Sequence, residues 1–150
     1  MSDEPRPLRV LFLCTGNSAR SQIAEALLRY ESKGRIDVHS AGTEPKEEIH
    51  PMALRALRDR YGLDMAGQHP KSVEPLVGQP FDYVITVCDR AAESCPVFPG
   101  DPQRIHWGFP DPAAVEGDDA TQQRAFNRTA SELLARIRVW LSLPAIRSRL

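Results

Sequence analysis

The chain has 150 residues, 41% of them hydrophobic, with 19 basic and 20 acidic side chains and a formal net charge of -1, the size and make-up of one globular domain able to bury a core. The charges are interspersed, so no block of one sign argues for a nucleic-acid partner. No apolar run approaches the roughly 18 residues of a membrane span, and the N-terminal MSDEPRPLR lacks the apolar stretch of a signal peptide, so the expectation is a cytoplasmic protein without a membrane partner.

In chain order, residues 10–13 read as a buried strand and 18–30 as a helix with Ile23, Ala26, Leu27 and Tyr30 on one face. Residues 36–40 form a second short strand, followed by Ala41-Gly42. Residues 50–61 read as a second helix, with Pro51 near its start and Gly62 just past its end. Tyr83 to Val87 is the clearest strand, 104–107 a weaker one, and 126–141 a final helix carrying Phe126, Ala130, Leu133, Ile137, Trp140 and Leu141 at helical spacing, ended by Pro144. Strands alternating with helices predict an α/β domain: a parallel sheet covered on both faces, with ligands at the carboxyl ends of the strands. The prolines at 44–45, 79–80, 96–102 and 110–112 sit in connecting loops and do not separate domains.

Cys14 therefore ends the first strand on the ligand-binding edge. In Thr15-Gly16-Asn17-Ser18-Ala19, Gly16 and Asn17 can take positive φ, so successive N–H groups can curl around one point at which the next helix aims its N-terminus. This predicts an oxyanion cradle with a sulfur at its floor. Arg20 supplies a guanidinium with two parallel donors, and Ser21 could donate to the sulfur. Backbone donors and a nearby cation favour thiolate, so the Cys14 pKa is expected below that of a free thiol, making Cys14 a nucleophile. Three unpaired cysteines in a reducing compartment are either inert core residues or chemistry. The histidines at 39, 50, 69 and 106 have no metal-ligand spacing and read as structural, His50 at a helix start.

The stretch Cys14-Thr15-Gly16-Asn17-Ser18-Ala19-Arg20-Ser21 resembles the C-x5-R-S loop of the low-molecular-weight tyrosine phosphatase superfamily. Within it the chain most resembles the thioredoxin-coupled arsenate reductases, through Arg20 to Glu25, Ser40-Ala41-Gly42, Thr86-Val87-Cys88 to Cys95-Pro96, and His106-Trp107-Gly108-Phe109 ahead of Asp111-Pro112. The phosphatase branch typically has proline at the position of Gln22 and tyrosine at that of Ala113, and both departures favour the reductase branch. The resemblance implies a single-domain three-layer sandwich with a four-stranded parallel sheet and helices on both faces. Its catalytic domain would span 9–143, between a flexible N-terminal tail, 1–8, and a C-terminal tail, 144–150. The implied partners are arsenate and thioredoxin, with no cofactor.

The resemblance further implies a relay: Cys14 attacks arsenic, Cys88 attacks the adduct, and Cys95 takes the disulfide to the exterior. Cys88 follows a strand end on the same edge as Cys14 if the sheet is parallel. If residues 89–94 are helical, the seven steps from Cys88 to Cys95 rise about 10.5 Å, whereas a disulfide needs Cα atoms within roughly 7 Å, so that bond requires the segment to unwind. Composition leaves the general acid open among Asp101, Asp111, Asp118 and Asp119; the resemblance selects Asp111. Some relatives hold potassium with residues matching Asn17, Glu25 and Ser40 plus an acidic residue; here that last position falls at or near Lys71, so no metal is expected. The family loop often carries a further cysteine where this chain has Ala19. Two alternatives stay open: a phosphatase acting through a cysteinyl-phosphate, and a non-catalytic redox or oxyanion sensor.

Overall fold

The apolar run at 10–13 forms the middle of β1 (Arg9–Cys14), the most deeply buried strand of the sheet, with Val10, Leu11, Phe12 and Leu13 all fully buried. It is followed by α1 (Arg20–Glu31), β2 (Asp37–Gly42), α2 (Pro51–Tyr61), β3 (Tyr83–Thr86), α3 (Asp89–Glu93), β4 (Gln103–His106), α4 (Asp119–Leu141) and α5 (Pro144–Arg147). Single 3-10 turns lie at Glu74–Leu76 and Pro112–Ala114. The structure, a computed structural model, describes residues 6–150.

The four strands pair in parallel in the order β2-β1-β3-β4, the expected α/β architecture. A strand buried on both faces reads as an unbroken apolar run, which is why β1 shows no alternation. The connections from β1 to β2 and from β3 to β4 run outward in opposite directions, so by the right-handed rule for parallel crossovers α1 and α3 belong to opposite faces. The carboxyl ends of β1 and β3 therefore border a topological switch point, where such sheets open a crevice. Helix α4 packs against α1 and α2 through Phe126, Ala130, Leu133 and Ile137, all fully buried.

Several boundaries differ from expectation, for local reasons. Helix α1 starts at Arg20, not Ser18, because the Ser18 carbonyl is taken by the His50 N–H at 2.8 Å. Tyr30 is 62% exposed: the buried face of α1 stops at Leu28, and its last turn lies outside the packed layer. Helix α4 begins seven residues earlier than its apolar periodicity, capped by Asp118, whose side chain accepts from the Thr121 N–H; its first two turns are polar and leave no hydrophobic signal. His50 is the N-cap of α2, Nδ1 accepting from the Met52 N–H at 3.1 Å, and Gly62 closes that helix at φ 66°.

The expected tails are partly packed. Of residues 1–8, the first five lie outside the described residues; Leu8 is buried and Arg6 pairs with Asp82 at 2.9 Å. Residues 144–150 contain α5, anchored by the buried Ile146.

Candidate active site

Cys14 closes β1 and Cys88 lies two residues beyond β3. The strands pair with Leu13 opposite Thr86, and the Val87 N–H donates to the Leu13 carbonyl at 3.0 Å. This register delivers both cysteines to the switch point, side by side. Both are buried, and each thiol shifts the ionisation of the other. They form the floor of a 470 Å³ cleft also lined by Thr15, Gly16, Asn17, Ser18, Ala19, Arg20 and Asp111.

The loop from Thr15 to Ala19 is turned inside out by its neighbour. The carbonyls of Cys14, Thr15, Gly16 and Ser18 accept from the N–H groups of Thr43, Glu44, Lys46 and His50 at 3.1, 2.9, 2.9 and 2.8 Å. Among the described residues, no backbone N–H from Thr15 to Ala19 donates to a backbone carbonyl, so these donors are left for an anion in the cleft. Of the two residues expected at positive φ, only Asn17 adopts it, at 49°. The close approach of the two segments needs glycine at 42, where a Cβ would collide with the Thr15 carbonyl oxygen.

Asn17 holds the loop from beneath. Its buried side chain donates from Nδ2 to Ser21 Oγ at 2.8 Å and Ser40 Oγ at 3.0 Å, and its Oδ1 accepts from Gln22 Nε2 and the Lys71 N–H, both at 3.0 Å. The Gln22 bond is one that a proline at that position could not make. Ser21 is thereby engaged by Asn17 and, among the described residues, makes no hydrogen bond to Cys14; the structure does not bring the hydroxyl to the sulfur as expected. Ser40 donates to Glu25 Oε1. Glu25 also pairs with Arg29 at 2.7 Å and lies 3.8 Å from Lys71 Nζ, so its buried carboxylate faces two cations of the chain itself.

Arg20 reaches the cleft from the first turn of α1. Its Nη1 donates to the Phe109 carbonyl at 2.8 Å, while its Nε is buried without a partner among the described residues, a donor waiting for an acceptor. The Phe109 contact ties the arginine to the loop that carries Asp111. Of the four aspartates left open by composition, Asp111 alone lines the cleft. It is exposed, and its Oδ1 caps the Pro112–Ala114 turn through the Ala113 N–H at 2.9 Å. Asp101 sits at φ 49° before β4, and Asp118 caps α4 with Asp119 in its first turn. Ala113 lines the rim where the phosphatase branch would place an aromatic ring.

The sulfur electrostatics overturn one expectation. Cys14 is not lowered: its coupling to the neighbouring Cys88 thiol and its burial raise its pKa, against the opposing pull of Arg20 and the Thr15 N–H. Cys88 is lowered from 9.0 to about 5, chiefly by its coupling to Cys14, with help from Thr15, whose hydroxyl lies 3.4 Å from its sulfur, and from Arg20. The two thiols titrate as a coupled pair, the first ionisation leaving one proton between them. One thiolate equivalent is therefore expected to appear as pH rises through about 5 and to persist above it. Ultraviolet thiolate absorbance checks this; a first equivalent appearing only near the ordinary thiol range would contradict the shared proton.

Cys95 lies outside the cleft. It is half-buried beyond α3, in a 160 Å³ hollow shared with Thr86, Arg104 and His106, and burial raises its pKa while Arg104 opposes. Residues 89–93 are helical, so α3 separates Cys95 from Cys88 as the spacing argument requires. Spacing alone missed Glu44, Lys46 and Arg90, which complete the rim; they come from other elements and share no motif with the loop. No group of three or more His, Cys, Asp or Glu among the described residues is placed to hold a metal ion.

Residues 9–148 match the family described as low molecular weight phosphotyrosine protein phosphatase. An arsenate reductase of Halalkalibacterium halodurans is 38% identical over 131 residues, 87% of this chain and 93% of its own. The solved structure of a thioredoxin-dependent arsenate reductase of Corynebacterium glutamicum is 32% identical with a TM-score of 0.72; the match covers 99% of this chain and 66% of that one. A low molecular weight protein tyrosine phosphatase of T. tengcongensis is 27% identical with a TM-score of 0.69, covering 89% of this chain and 97% of its own.

Proposed function

We propose that this chain, which belongs to the low molecular weight phosphotyrosine protein phosphatase family, is an arsenate reductase that uses thioredoxin as its reductant. The observation that carries this reading is the second thiol in the cleft: Cys88 lines it together with Cys14, delivered there by the pairing of β1 with β3. A phosphatase needs one nucleophilic sulfur, and a reductase needs a second within reach of the first. The names of the relatives point the same way, and Ala113 at the rim leaves no aromatic wall for a phosphotyrosine ring.

In this reading arsenate enters the cradle and is held by the free N–H groups of 15–19 and the unpartnered edge of Arg20. The shared proton moves to Cys88, and Cys14 Sγ attacks arsenic(V). Asp111 protonates the departing oxygen, which leaves as water. Cys88 then gives up its proton to an arsenic-bound oxygen and its Sγ attacks Cys14 Sγ: the new S–S bond forms as the S–As bond breaks, and the electron pair of the broken bond stays on arsenic, reducing it to the trivalent state. Cys95 attacks Cys88, freeing Cys14 as thiolate, and the thioredoxin dithiol reduces the Cys88–Cys95 disulfide. Two thiols are oxidised for each arsenate reduced.

The carboxylate of Asp111 is anchored through the Ala113 N–H and its loop through Arg20, so acid and cradle are coupled by one guanidinium. The same cradle also fits phosphate-monoester hydrolysis through a cysteinyl-phosphate, which would leave Cys88 and Cys95 idle. The test is turnover. The purified chain with thioredoxin, its reductase and NADPH is expected to consume NADPH in proportion to arsenate and release arsenite. Hydrolysis of phosphate monoesters without arsenate-dependent NADPH consumption would favour the phosphatase.

A further inference from the structure

Helix α3 is too short to persist unaided. It has five residues, buries only Ala91, and its N-cap, Cys88, makes no side-chain cap, whereas isolated helices need roughly 12 residues or more to be even marginal. Among the described residues, two side-chain ties reach it. Arg90 pairs with Glu44 at 3.4 Å, both largely exposed. Asp89 accepts from His106 Nε2 at 2.8 Å.

The second tie is the better anchored. A carboxylate only accepts, so Nε2 carries the ring proton, and Nδ1 is left to accept from the Thr86 hydroxyl at 2.8 Å. Thr86 is buried on β3. His106, at the end of β4, thus joins residues 86 and 89, which bracket Cys88. Gly108 leaves room for the contact: a Cβ there would lie 3.0 Å from His106 Nε2 and 3.3 Å from Asp89 Oδ1.

We propose that the His106–Asp89 pair is a latch that keeps α3 wound and Cys88 turned to Cys14, and that its opening lets Cys95 reach Cys88; the second half rests on the three-cysteine reading above. His106 is a positioning residue, acting on Cys88 through Asp89 and α3. The step it gates is an exchange with no net oxidation: Cys95 thiolate attacks Cys88 Sγ, the Cys88–Cys95 bond forms as the Cys14–Cys88 bond breaks, and Cys14 leaves as thiolate. An exposed pair is a weak tie, but α3 buries so little that a weak tie shifts its balance.

The test is a double-mutant cycle of Asp89→Ala and His106→Ala, with Gly108→Ala as a variant that keeps every latch side chain and crowds the contact. In the reduced protein, amide hydrogen exchange at 90–94 is expected to speed up about two- to five-fold in each variant, and no further in the double mutant than in the singles. After one equivalent of arsenate without thioredoxin, acid quench and disulfide mapping are expected to find the Cys88–Cys95 bond forming faster by a similar factor, with the KM for arsenate unchanged. Unchanged exchange at 90–94 in Asp89→Ala and Gly108→Ala, or additive effects in the double mutant, would overturn the latch. Faster exchange there, with no disulfide following arsenate in any variant, would uphold the tie and overturn the three-cysteine reading.

Discussion

A Cys14→Ser variant is expected to lose arsenate turnover by roughly a thousand-fold or more, while still binding the oxyanion. A serine hydroxyl is not appreciably ionised at neutral pH, and it cannot supply the sulfur that must enter a disulfide for arsenic to be reduced. The cradle should survive. Its shape is set by the backbone bonds from 43–50 to the loop carbonyls and by the Asn17 network, none of which uses the Cys14 side chain. Binding of arsenate or phosphate, followed by the fluorescence of the buried Trp107, which packs 5.9 Å from Phe12 of β1, separates lost chemistry from lost binding. Full turnover in Cys14→Ser would remove the nucleophile from the proposed function.

Cys88→Ser and Cys95→Ser are expected to stop the cycle at different points. Without Cys88 no thiol at the cleft floor can displace arsenite, so the thioredoxin-coupled assay should show no arsenite release. Without Cys95 a single arsenite per chain should be released, after which the protein is trapped with a Cys14–Cys88 disulfide, lighter by two hydrogens in intact mass. The contrast arises because Cys88 lines the cleft and Cys95 lies beyond α3. Hydrolysis of a small phosphate monoester should persist in both variants, since it needs only Cys14, Arg20 and Asp111. Unchanged arsenate turnover in both would refute the roles given to Cys88 and Cys95 and leave the phosphatase reading standing.

The proton shared by Cys14 and Cys88 also bears on substrate binding. Two thiolates at the floor would repel an arsenate oxyanion, whereas a pair with a single negative charge faces Arg20 and the loop donors with less opposition. One charge is expected there because the two sulfurs ionise as a coupled pair, Cys14 raised and Cys88 lowered to about 5.

What the sequence determined by itself was whatever depends on residues near one another in the chain. The strand-loop-arginine order at 10–20 places a thiol beneath a ring of backbone donors, because a short loop between a strand end and a helix start has few ways to run. The helical spacing of α4 marks its core face, Pro51 and Gly62 mark the ends of α2, and the seven steps from Cys88 to Cys95 span a helix. Contacts between distant segments were decided only by the tertiary structure. The register of β1 on β3 makes Cys14 and Cys88 share a proton, reversing the shift expected for Cys14. The Asn17 side chain takes up Ser21, and the path of the chain after β4 brings Asp111 alone of four aspartates to the cleft. Spacing along a chain sets local geometry, but the pKa of a buried sulfur and the partner of a hydroxyl depend on which remote group the sheet places beside it, and no local pattern records that.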